Sequence, residues 1–491
     1  MKKETNRIYI IGAGFAGASL AADIKRKGIL GHVVAFLDDD REKIGSRVES
    51  IPVLGPINDV IDLLQRTPAD EALIAMPGAS RERLRQIYLV LLRAGFARIR
   101  ILPSLAELVD GEAHLIQTRE INPEDLLGRN PIQINLRESL SYLRGRRVLI
   151  TGAGGSIGSE LARQLLAGGA ERLYLFDHGE NSLYEIEREL RLLQEEGVGD
   201  QATIVPVVGE LQDIDFMRFI LARLRADVVF HAAAHKHVPM MEANPVEAVK
   251  NNVFGTEHLV RAARESGVKR FVMISTDKVV EPTSVYGASK RIAEQIVLNQ
   301  HDSDQAFMVV RFGNVLGSSG SIIPLFRTQI MRGGPLTLTD PDTTRFFMTI
   351  GEAASLVLQA GGVGKPGELY ILDMGEPVRI RDLAEQMIRF YGYEPDDDIE
   401  IRTIGLRPGE KLHERLFDDG EQPDATDHPR LNRVASARTV VPNLGELVER
   451  LRPICYFDAA LPGPYRNRRS LRTALSAHIP TLEVPCDEPE Y

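Results

Sequence analysis

The chain has 491 residues, of which 43% are hydrophobic and 26% charged, an ordinary composition for folded domains that excludes wholesale disorder. Its 59 basic and 69 acidic residues give a formal net charge of −10, so neither a nucleic acid nor an anionic membrane surface is expected as a partner. Cys455 and Cys486 are the only cysteines, which excludes a disulfide framework and favours a reducing, cytoplasmic location. No apolar run approaches the roughly 20 residues that span a bilayer, and residues 1–7 are polar, so no membrane segment or signal peptide is expected.

The first 120 residues alternate short apolar runs with amphipathic stretches, a pattern that predicts a parallel sheet covered by helices. The run at residues 8–11 leads into Gly12, Gly14 and Gly17, and Asp38 ends the next apolar run. Glycines at this spacing, followed by an acid about 20 residues later, are typical of a dinucleotide-binding turn. No tyrosine–lysine pair lies near this turn. It therefore fits equally well a nucleotide-binding fold that holds no redox cofactor, and its ligand stays open.

The same alternation restarts at Arg147, which predicts an α/β protein with two doubly wound parallel-sheet, Rossmann-like domains. The second domain is expected to carry a small α/β substrate-binding subdomain. Turn signals and composition place the first domain at residues 1–120, a linker at 121–145, the catalytic domain at 146–460 and a loosely ordered tail at 461–491.

A second glycine pattern, Gly152, Gly155 and Gly158, lies between a predicted strand and a predicted helix. The start of such a helix is an anion site, because its free backbone N–H groups point at a bound phosphate. Asp177 ends the following strand, where a carboxylate accepts hydrogen bonds from ribose hydroxyls and repels a 2′-phosphate. NAD is therefore favoured over NADP. The alternative is a purely structural glycine turn.

Tyr286 and Lys290 are four residues apart, so a helix would place both side chains on one face. We expect the ammonium of Lys290 to lower the pKa of the phenol, so that Tyr286 can take a hydroxyl proton during hydride transfer. Thr276 can hydrogen-bond the same oxygen. Asp277 and Lys278 then offer an acid and a base beside the threonine, which an elimination of water needs and a simple oxidation does not. The alternative is a solvated charge pair at the end of a strand.

Three histidines, His231, His235 and His237, invite a metal site. A zinc site would normally recruit a cysteine or a carboxylate at suitable spacing, and none accompanies these residues. No metal is expected.

Five segments resemble the bacterial UDP-N-acetylglucosamine 4,6-dehydratases of the polysaccharide-biosynthesis, extended short-chain dehydrogenase/reductase family. They are TGAGGSIG from Thr151, HAAAHKHVP from His231, STDK from Ser275, RFGNVLGS from Arg311 and LRPGEK from Leu406. The resemblance covers roughly residues 120–450, and the first domain resembles the CoA-binding-like domain upstream of such enzymes. Two features depart from the family's long, configuration-retaining members, many of which have methionine where this chain has Tyr286. Those members also usually carry transmembrane helices, which this chain lacks.

The resemblance implies 4,6-dehydration of UDP-N-acetylglucosamine with NAD as cofactor, for bacterial surface glycan biosynthesis, and we expect a homo-oligomer. In this scheme Lys278 takes the C5 proton and Asp277 protonates the departing oxygen. The implied catalytic residues are Thr276, Asp277, Lys278, Tyr286 and Lys290. The implied cofactor contacts are Gly152, Gly155, Ser156, Ile157, Gly158, Asp177, Ala232, Ala233, Tyr286 and Lys290. The implied substrate contacts are Lys236, Asn314, Arg345, Arg407 and Glu410.

Two alternatives remain. A UDP-sugar 4-epimerase would use Tyr286 and Lys290 but would not need Asp277 and Lys278. A regulatory protein that binds NAD without turnover would need only the glycine turns.

Overall fold

The computed structural model describes residues 6–28, 30–96, 98–102, 119–121, 140–199, 201–300, 304–434 and 441–489. The chain divides into two compact units, Met1–Ile134 and Asn135–Tyr491. Most of the predicted linker, residues 122–139, lies outside the described residues. The domain boundaries therefore stay predictions. Within the described ranges, no helix has both the length and the apolar character needed to cross a membrane.

The first unit is a sheet with helices between its strands. Its elements are β1 (Arg7–Ile11), α1 (Phe15–Lys27), β2 (His32–Leu37), β3 (Arg47–Val48), β4 (Ile51–Gly55), α2 (Val60–Arg66), β5 (Glu71–Ile74), α3 (Arg81–Arg93), β6 (Arg98–Ile101) and β7 (Arg119–Glu120). The described strands lie in the order β3-β4-β2-β1-β5-β6-β7, and the five from β4 to β6 are parallel. Strand order reverses at β1, which pairs with β2 on one side and β5 on the other. The first glycine turn follows β1 at this switch point.

The second unit begins with a longer alternation of the same kind. Its first elements are β8 (Arg147–Thr151), α4 (Ser156–Ala167), β9 (Arg172–Asp177), α5 (Glu180–Glu195), β10 (Thr203–Val208), α6 (Ile214–Leu224), β11 (Val228–His231), α7 (Val238–Ala243), α8 (Pro245–Val249), α9 (Gly255–Glu265), β12 (Arg270–Thr276), α10 (Val285–Leu298) and β13 (Ala306–Phe312). Successive strands that are apolar along most of their length favour a sheet buried on both faces.

Shorter strands and further helices follow. They are β14 (Asn314–Val315), α11 (Ile322–Met331), β15 (Leu336–Leu338), β16 (Thr344–Arg345), β17 (Phe347–Met348), α12 (Ile350–Val363), β18 (Leu369–Leu372), β19 (Val378–Arg379), α13 (Ile380–Phe390), β20 (Ile401–Thr403), β21 (Pro423–Ala425), β22 (Leu431–Val434), α14 (Leu444–Cys455) and α15 (Arg468–Ser476). Three small two-stranded sheets, β14–β17, β15–β20 and β16–β19, form beside the main sheet.

The main sheet of the second unit has the order β10-β9-β8-β11-β12-β13-β18-β22-β21 among the described residues, and its first seven strands are parallel. Strand order reverses at β8, which pairs with both β9 and β11. Ligands of such sheets bind outside the carboxyl ends of the strands at the reversal. The prediction of an α/β protein with two doubly wound, Rossmann-like sheets is confirmed.

Helix α10, which carries Tyr286 and Lys290, is covered on every side, because each of its fourteen residues is buried. It begins where the hydroxyl of Ser284 accepts a hydrogen bond from the backbone N–H of Gly287 at 3.0 Å. That cap satisfies one of the donors that a helix start leaves free. The helix that carries Tyr286 and Lys290 is therefore fixed on all sides.

The prediction of a loosely ordered tail at 461–491 is wrong for most of its length. Leu471, Ala474 and Leu475 of α15 are buried in the core of the second unit, as are Ile479 and Leu482. The turn signals at Pro462 and Pro464 mark only a local reversal, after which apolar residues recur at helical spacing. These residues are ordered because their apolar stripe is buried in the core, although the turn-rich composition before it suggested a loose tail.

Candidate active site

The second glycine turn packs too tightly for any other residue. Gly152 has a φ of +69°, and a β-carbon built on it would lie 2.6 Å from the backbone nitrogen of Ala233. A β-carbon on Gly158 would lie 2.0 Å from the carbonyl oxygen of Gly152. The glycines thus let the strand turn sharply into α4 and leave Ser156 and Ile157 in the first helical turn, half-buried.

Asp177 ties this turn to the end of β9. Its carboxylate accepts hydrogen bonds from the backbone N–H groups of Gly154 at 2.9 Å and Gly179 at 2.8 Å. Both oxygens retain free lone pairs, because an ionised carboxylate can accept about four hydrogen bonds. Ala232 lies across the turn, directly after β11. The structure therefore brings together the residues predicted to hold the adenosine and pyrophosphate of NAD.

The acid–base residues lie at the carboxyl end of β12. Oδ1 of Asp277 accepts from the hydroxyl of Thr276 at 2.9 Å and from Nζ of Lys278 at 2.8 Å. Lys278 also donates to Oδ1 of Asn314 at 3.0 Å. Oδ2 of Asp277 is buried without a hydrogen-bond partner among the described residues, and a β-carbon on Gly313 would lie 3.2 Å from it. The side chain of Asp277 is fully buried and that of Lys278 is 22% exposed. A buried carboxylate with an unpartnered oxygen is unlike the solvated charge pair that the sequence also allowed.

Tyr286 reaches the same cluster from α10. Burial raises the pKa of its phenol to about 12, although the charge of Lys278 and a hydrogen bond with Thr276 oppose the rise. Lys290 instead donates from Nζ to the carbonyl of Ile274 at 2.7 Å. Burial lowers the pKa of Lys290 to about 8. The positive charge that most lowers the pKa of Tyr286 is thus on Lys278, whereas the sequence had assigned that effect to Lys290.

Glu414 is the member of the cluster that sequence reasoning missed. It lies in the segment after β20 with 4% of its side chain exposed, and its Oε1 is 3.9 Å from Nζ of Lys278. Burial raises the pKa of the Glu414 carboxyl, a rise that Lys278 opposes and Asp277 reinforces. One hint was present in the chain itself, because Glu414 follows the LRPGEK segment within a few residues.

Asn252 is a second residue that the sequence analysis missed. It lies in a π-helical turn, Lys250–Phe254, and its side chain bonds both the N–H and the carbonyl of His235 at 2.9 and 3.0 Å. It also donates to the hydroxyl of Ser289 on α10 at 3.0 Å. A π turn inside a helix often marks a functional position. Here it fixes the segment that carries Lys236 against α10, the helix of Tyr286 and Lys290.

The predicted substrate contacts show distinct surroundings. Arg345 donates from Nη2 to the carbonyl of Lys411 at 2.7 Å and from Nη1 to that of Leu412 at 3.0 Å, so it braces a loop. Arg407 and Glu410 pair with each other at the surface. Lys236 is close enough to Lys278 for their charges to repel, which together with burial lowers the pKa of Lys236. Contact of these residues with a substrate stays a prediction.

His231 is a buried structural residue. Its Nδ1 lies 2.7 Å from Oγ1 of Thr151, and its Nε2 lies 2.9 Å from Oγ1 of Thr256. Both ring nitrogens therefore have hydroxyl partners. Burial lowers the pKa of His231 to about 3, and the nearby charge of Lys290 contributes.

A His231→Asn variant should lose less stability on acidification than the wild-type protein. The unfolded chain binds a proton near pH 6.5 that the folded state accepts only near pH 3, so the contribution of neutral His231 is complete above pH 6.5 and is lost as the pH falls. Between about pH 7 and about pH 5, the contribution of His231 to the free energy of unfolding should fall by about 2 kcal/mol. Thermal unfolding of both proteins at about pH 7 and about pH 5 measures it. Equal declines would mean that His231 does not exclude the proton.

The first unit repeats the glycine-turn geometry of the second. A β-carbon on Gly17 would lie 2.0 Å from the carbonyl oxygen of Gly12, and Oδ2 of Asp38 accepts from the N–H of Ala13 at 2.8 Å. Burial would raise the pKa of Asp38, but hydrogen bonds from the backbone of Asp40 and Ala13 and the charge of Lys43 lower it. This turn has no counterpart of the Tyr286 cluster beside it in the sequence.

Two protein families match different parts of the chain. Residues 148–436 match the family described as polysaccharide biosynthesis protein, and residues 1–103 match a CoA-binding domain family. The chain is 41% identical over 422 residues to the capsular polysaccharide biosynthesis protein CapD of Staphylococcus aureus, covering 85% of this chain and 69% of that protein.

Two relatives have named reactions. An inverting UDP-N-acetylglucosamine 4,6-dehydratase of Campylobacter jejuni is 31% identical over 279 residues, covering 56% of this chain and 78% of that protein. A UDP-glucose 4-epimerase of Rickettsia canadensis is 38% identical over 205 residues, covering 41% of this chain and 59% of that protein. The family match at residues 148–436 includes the second glycine turn, the Asp277–Lys278 pair and Glu414. The chain therefore belongs to the polysaccharide biosynthesis protein family, within the extended short-chain dehydrogenase/reductases.

Proposed function

We propose that this chain is a UDP-N-acetylglucosamine 4,6-dehydratase that uses NAD and supplies a UDP-4-keto-6-deoxy-N-acetylhexosamine for bacterial surface glycans. The observation that carries the proposal is the ion pair between buried Asp277 and partly buried Lys278, 2.8 Å apart and next to Tyr286. Dehydration needs an acid and a base besides the group that assists oxidation. The dehydratase relative from Campylobacter jejuni supports the choice of reaction and substrate.

The residues of the second glycine turn fit NAD. The tight turn at Gly152 leads the backbone into the start of α4, and Asp177 offers carboxylate lone pairs where a ribose would lie. Bound NAD supplies a hydride acceptor for C4 and then a hydride donor for C6. The protein's own residues must handle the protons, and they do so in two stages.

In the first stage Tyr286 takes the proton of the O4 hydroxyl. Tyr286 does so as the phenolate, so its phenol, whose pKa is raised to about 12, must first release its own proton to solvent. The ammonium of Lys278 and the hydroxyl of Thr276 favour that phenolate. The ketone that forms at C4 makes the neighbouring C5 proton acidic. The second stage then falls to Asp277 and Lys278.

In the second stage Lys278 takes the C5 proton and Asp277 gives a proton to O6, so that the C6–O6 bond breaks and water leaves. Lys278 then returns a proton to C5 when hydride adds to C6, and the proton that Tyr286 took restores the charge of the pair. The elimination requires neutral Lys278 and protonated Asp277. The two carboxylates near Lys278 outweigh its burial and raise its pKa, so the ligand-free site holds the opposite arrangement. One proton crossing the 2.8 Å hydrogen bond from Nζ to Oδ1 converts one arrangement into the other.

A UDP-sugar 4-epimerase is the second candidate, favoured by the 38% match to an epimerase. An NAD-binding protein without turnover is the third. Incubation of the purified protein with UDP-N-acetylglucosamine and NAD, followed by mass spectrometry, separates the three. A product lighter by one water supports the dehydratase, a C4 epimer of unchanged mass supports the epimerase, and recovered substrate supports neither enzyme.

An Asp177→Asn variant should bind NAD about tenfold more weakly and discriminate less against NADP, because the carboxylate charge that bonds the ribose and repels a 2′-phosphate is gone. Asparagine keeps the shape of the side chain, which is only 8% exposed. Isothermal titration with each cofactor gives the ratio of affinities. Asp38→Asn is the matched control from the first unit and should leave that ratio intact. An unchanged ratio in Asp177→Asn would show that Asp177 does not bind the ribose.

A further inference from the structure

Glu414 inserts a buried carboxylate between two lysines beside the Asp277–Lys278 pair. Its Oε1 lies 3.9 Å from Nζ of Lys278, and its Oε2 lies 3.9 Å from Nζ of Lys411. Oε2 is buried and has no hydrogen-bond partner among the described residues. Burying a carboxylate without hydrogen bonds is costly unless nearby charges compensate. The fold alone gives no reason for an acid at this position.

The loop that carries Glu414 is held in place by β16. Besides the bonds from Arg345 to the carbonyls of Lys411 and Leu412, the N–H of Thr344 donates to Leu412 at 3.1 Å. Oγ1 of Thr344 lies 2.9 Å from Nδ1 of His413. Three of these bonds reach the backbone carbonyls of Lys411 and Leu412 and the fourth reaches the side chain of His413, so the loop directly before Glu414 is held in place. Its distance from Lys278 is therefore set by the fold.

The charges around this carboxylate come from several elements. Lys278 and Asp277 face it from the turn after β12, Arg345 from β16 and Lys411 from its own loop, and Tyr286 of α10 also feels its charge. Lys278 in turn faces two carboxylates, Asp277 at 2.8 Å and Glu414 at 3.9 Å. Without Glu414, the ammonium of Lys278 would keep only one counter-charge.

We propose that Glu414 is a positioning residue that decides where the proton of the Asp277–Lys278 pair resides. This inference rests on the proposed dehydration. With Glu414 ionised, the resting pair keeps its proton on Nζ of Lys278. Once that proton has moved to Asp277, neutral Lys278 is the stronger base for the C5 proton. Transfer of that one proton to Oδ1 of Asp277 needs no further reactant. Glu414 thereby acts through Lys278 and needs no contact with the sugar.

Trace labelling of lysines with acetic anhydride tests this directly in the full chain. The reagent attacks only the neutral amine, and Lys278, whose side chain is 22% exposed, is accessible. Glu414→Gln removes the charge and keeps the size, so the pKa of Lys278 should fall. A larger fraction of Lys278 is then neutral at about pH 9, so its labelling relative to the exposed Lys365 should rise about threefold to tenfold. The weaker base is also the weaker nucleophile, which keeps the rise below the gain in neutral amine. An unchanged ratio would overturn the proposal.

Glu281→Gln is the matched control. Glu281 is an exposed carboxylate, 3.5 Å from Arg415, and the same loss of charge there should leave the labelling of Lys278 unchanged. If Glu414→Gln fails to fold, Glu414→Asp tests the proposal instead. Its carboxylate lies one methylene farther from Lys278, so the labelling of Lys278 should rise about twofold. No increase in Glu414→Asp would then overturn the proposal.

Activity gives a second measurement, the exchange of solvent deuterium into C5 across pH. A tuning role predicts that Glu414→Gln shifts the acid limb of this profile to lower pH and lowers its plateau. A merely structural role predicts a lower plateau without the shift. A wild-type protein that releases no water refutes the proposed function, whereas a dehydrating wild type with unchanged labelling in Glu414→Gln refutes only the role of Glu414.

Discussion

A Lys278→Met variant should form the 4-keto-6-deoxy product about 10²- to 10⁴-fold more slowly than the wild type, the usual cost of losing a general base. Methionine keeps much of the length of the side chain but cannot take the C5 proton. Exchange of solvent deuterium into C5 should collapse with it. An epimerase never breaks the C5–H bond, so in that case Lys278→Met would change turnover only through Tyr286.

That indirect effect has a physical basis, because the ammonium of Lys278 lowers the pKa of Tyr286. Lys278→Met should therefore also slow C4 oxidation, although by less than it slows dehydration. Lys278→Arg separates the two effects, since a guanidinium stays charged and cannot act as a base. In Lys278→Arg we expect C4 oxidation to survive, measured as reduced cofactor in a single turnover, while water release is lost. If both variants dehydrate at the wild-type rate, Lys278 is not the base.

The sequence was sufficient for the features whose cause is local. Apolar runs followed by glycines predicted the strands and both turns, because a sharp turn with close backbone approach excludes every side chain at Gly152 and Gly158. The adjacency of Asp277 and Lys278 in the chain likewise predicted an acid and a base beside Thr276. These residues come together within a few positions of one strand end.

Features that depend on long-range packing escaped prediction. Glu414 is one of 69 acidic residues, and nothing in its own segment shows that Arg345 holds the preceding loop against the β12 end. The source of the positive charge near Tyr286 was likewise misassigned, because helical spacing says which side chains share a face but not where their ends lie. Lys290 turns to the Ile274 carbonyl, and Lys278 from a different element takes its place.

A Tyr286→Phe variant should lose C4 oxidation by about 10²- to 10⁴-fold, and with it every later step. Phenylalanine keeps the ring packed in the core and removes only the oxygen that takes the O4 proton. Both enzymatic alternatives need that oxygen, so this variant separates an enzyme from a protein that binds NAD without turnover. Single-turnover formation of reduced cofactor with UDP-N-acetylglucosamine measures the step.

Tyr174→Phe is the matched control. Tyr174 is buried in β9, and its hydroxyl donates to the carbonyl of Leu224 at 2.9 Å, away from Thr276 and Asp277. Losing that bond should cost about 1 kcal/mol of stability and leave oxidation intact. Titration calorimetry should show that Tyr286→Phe still binds both ligands, because the phenol acts on the reaction rather than on affinity. If Tyr286→Phe oxidises C4 as fast as Tyr174→Phe, another group takes the O4 proton and the first stage of the mechanism is wrong.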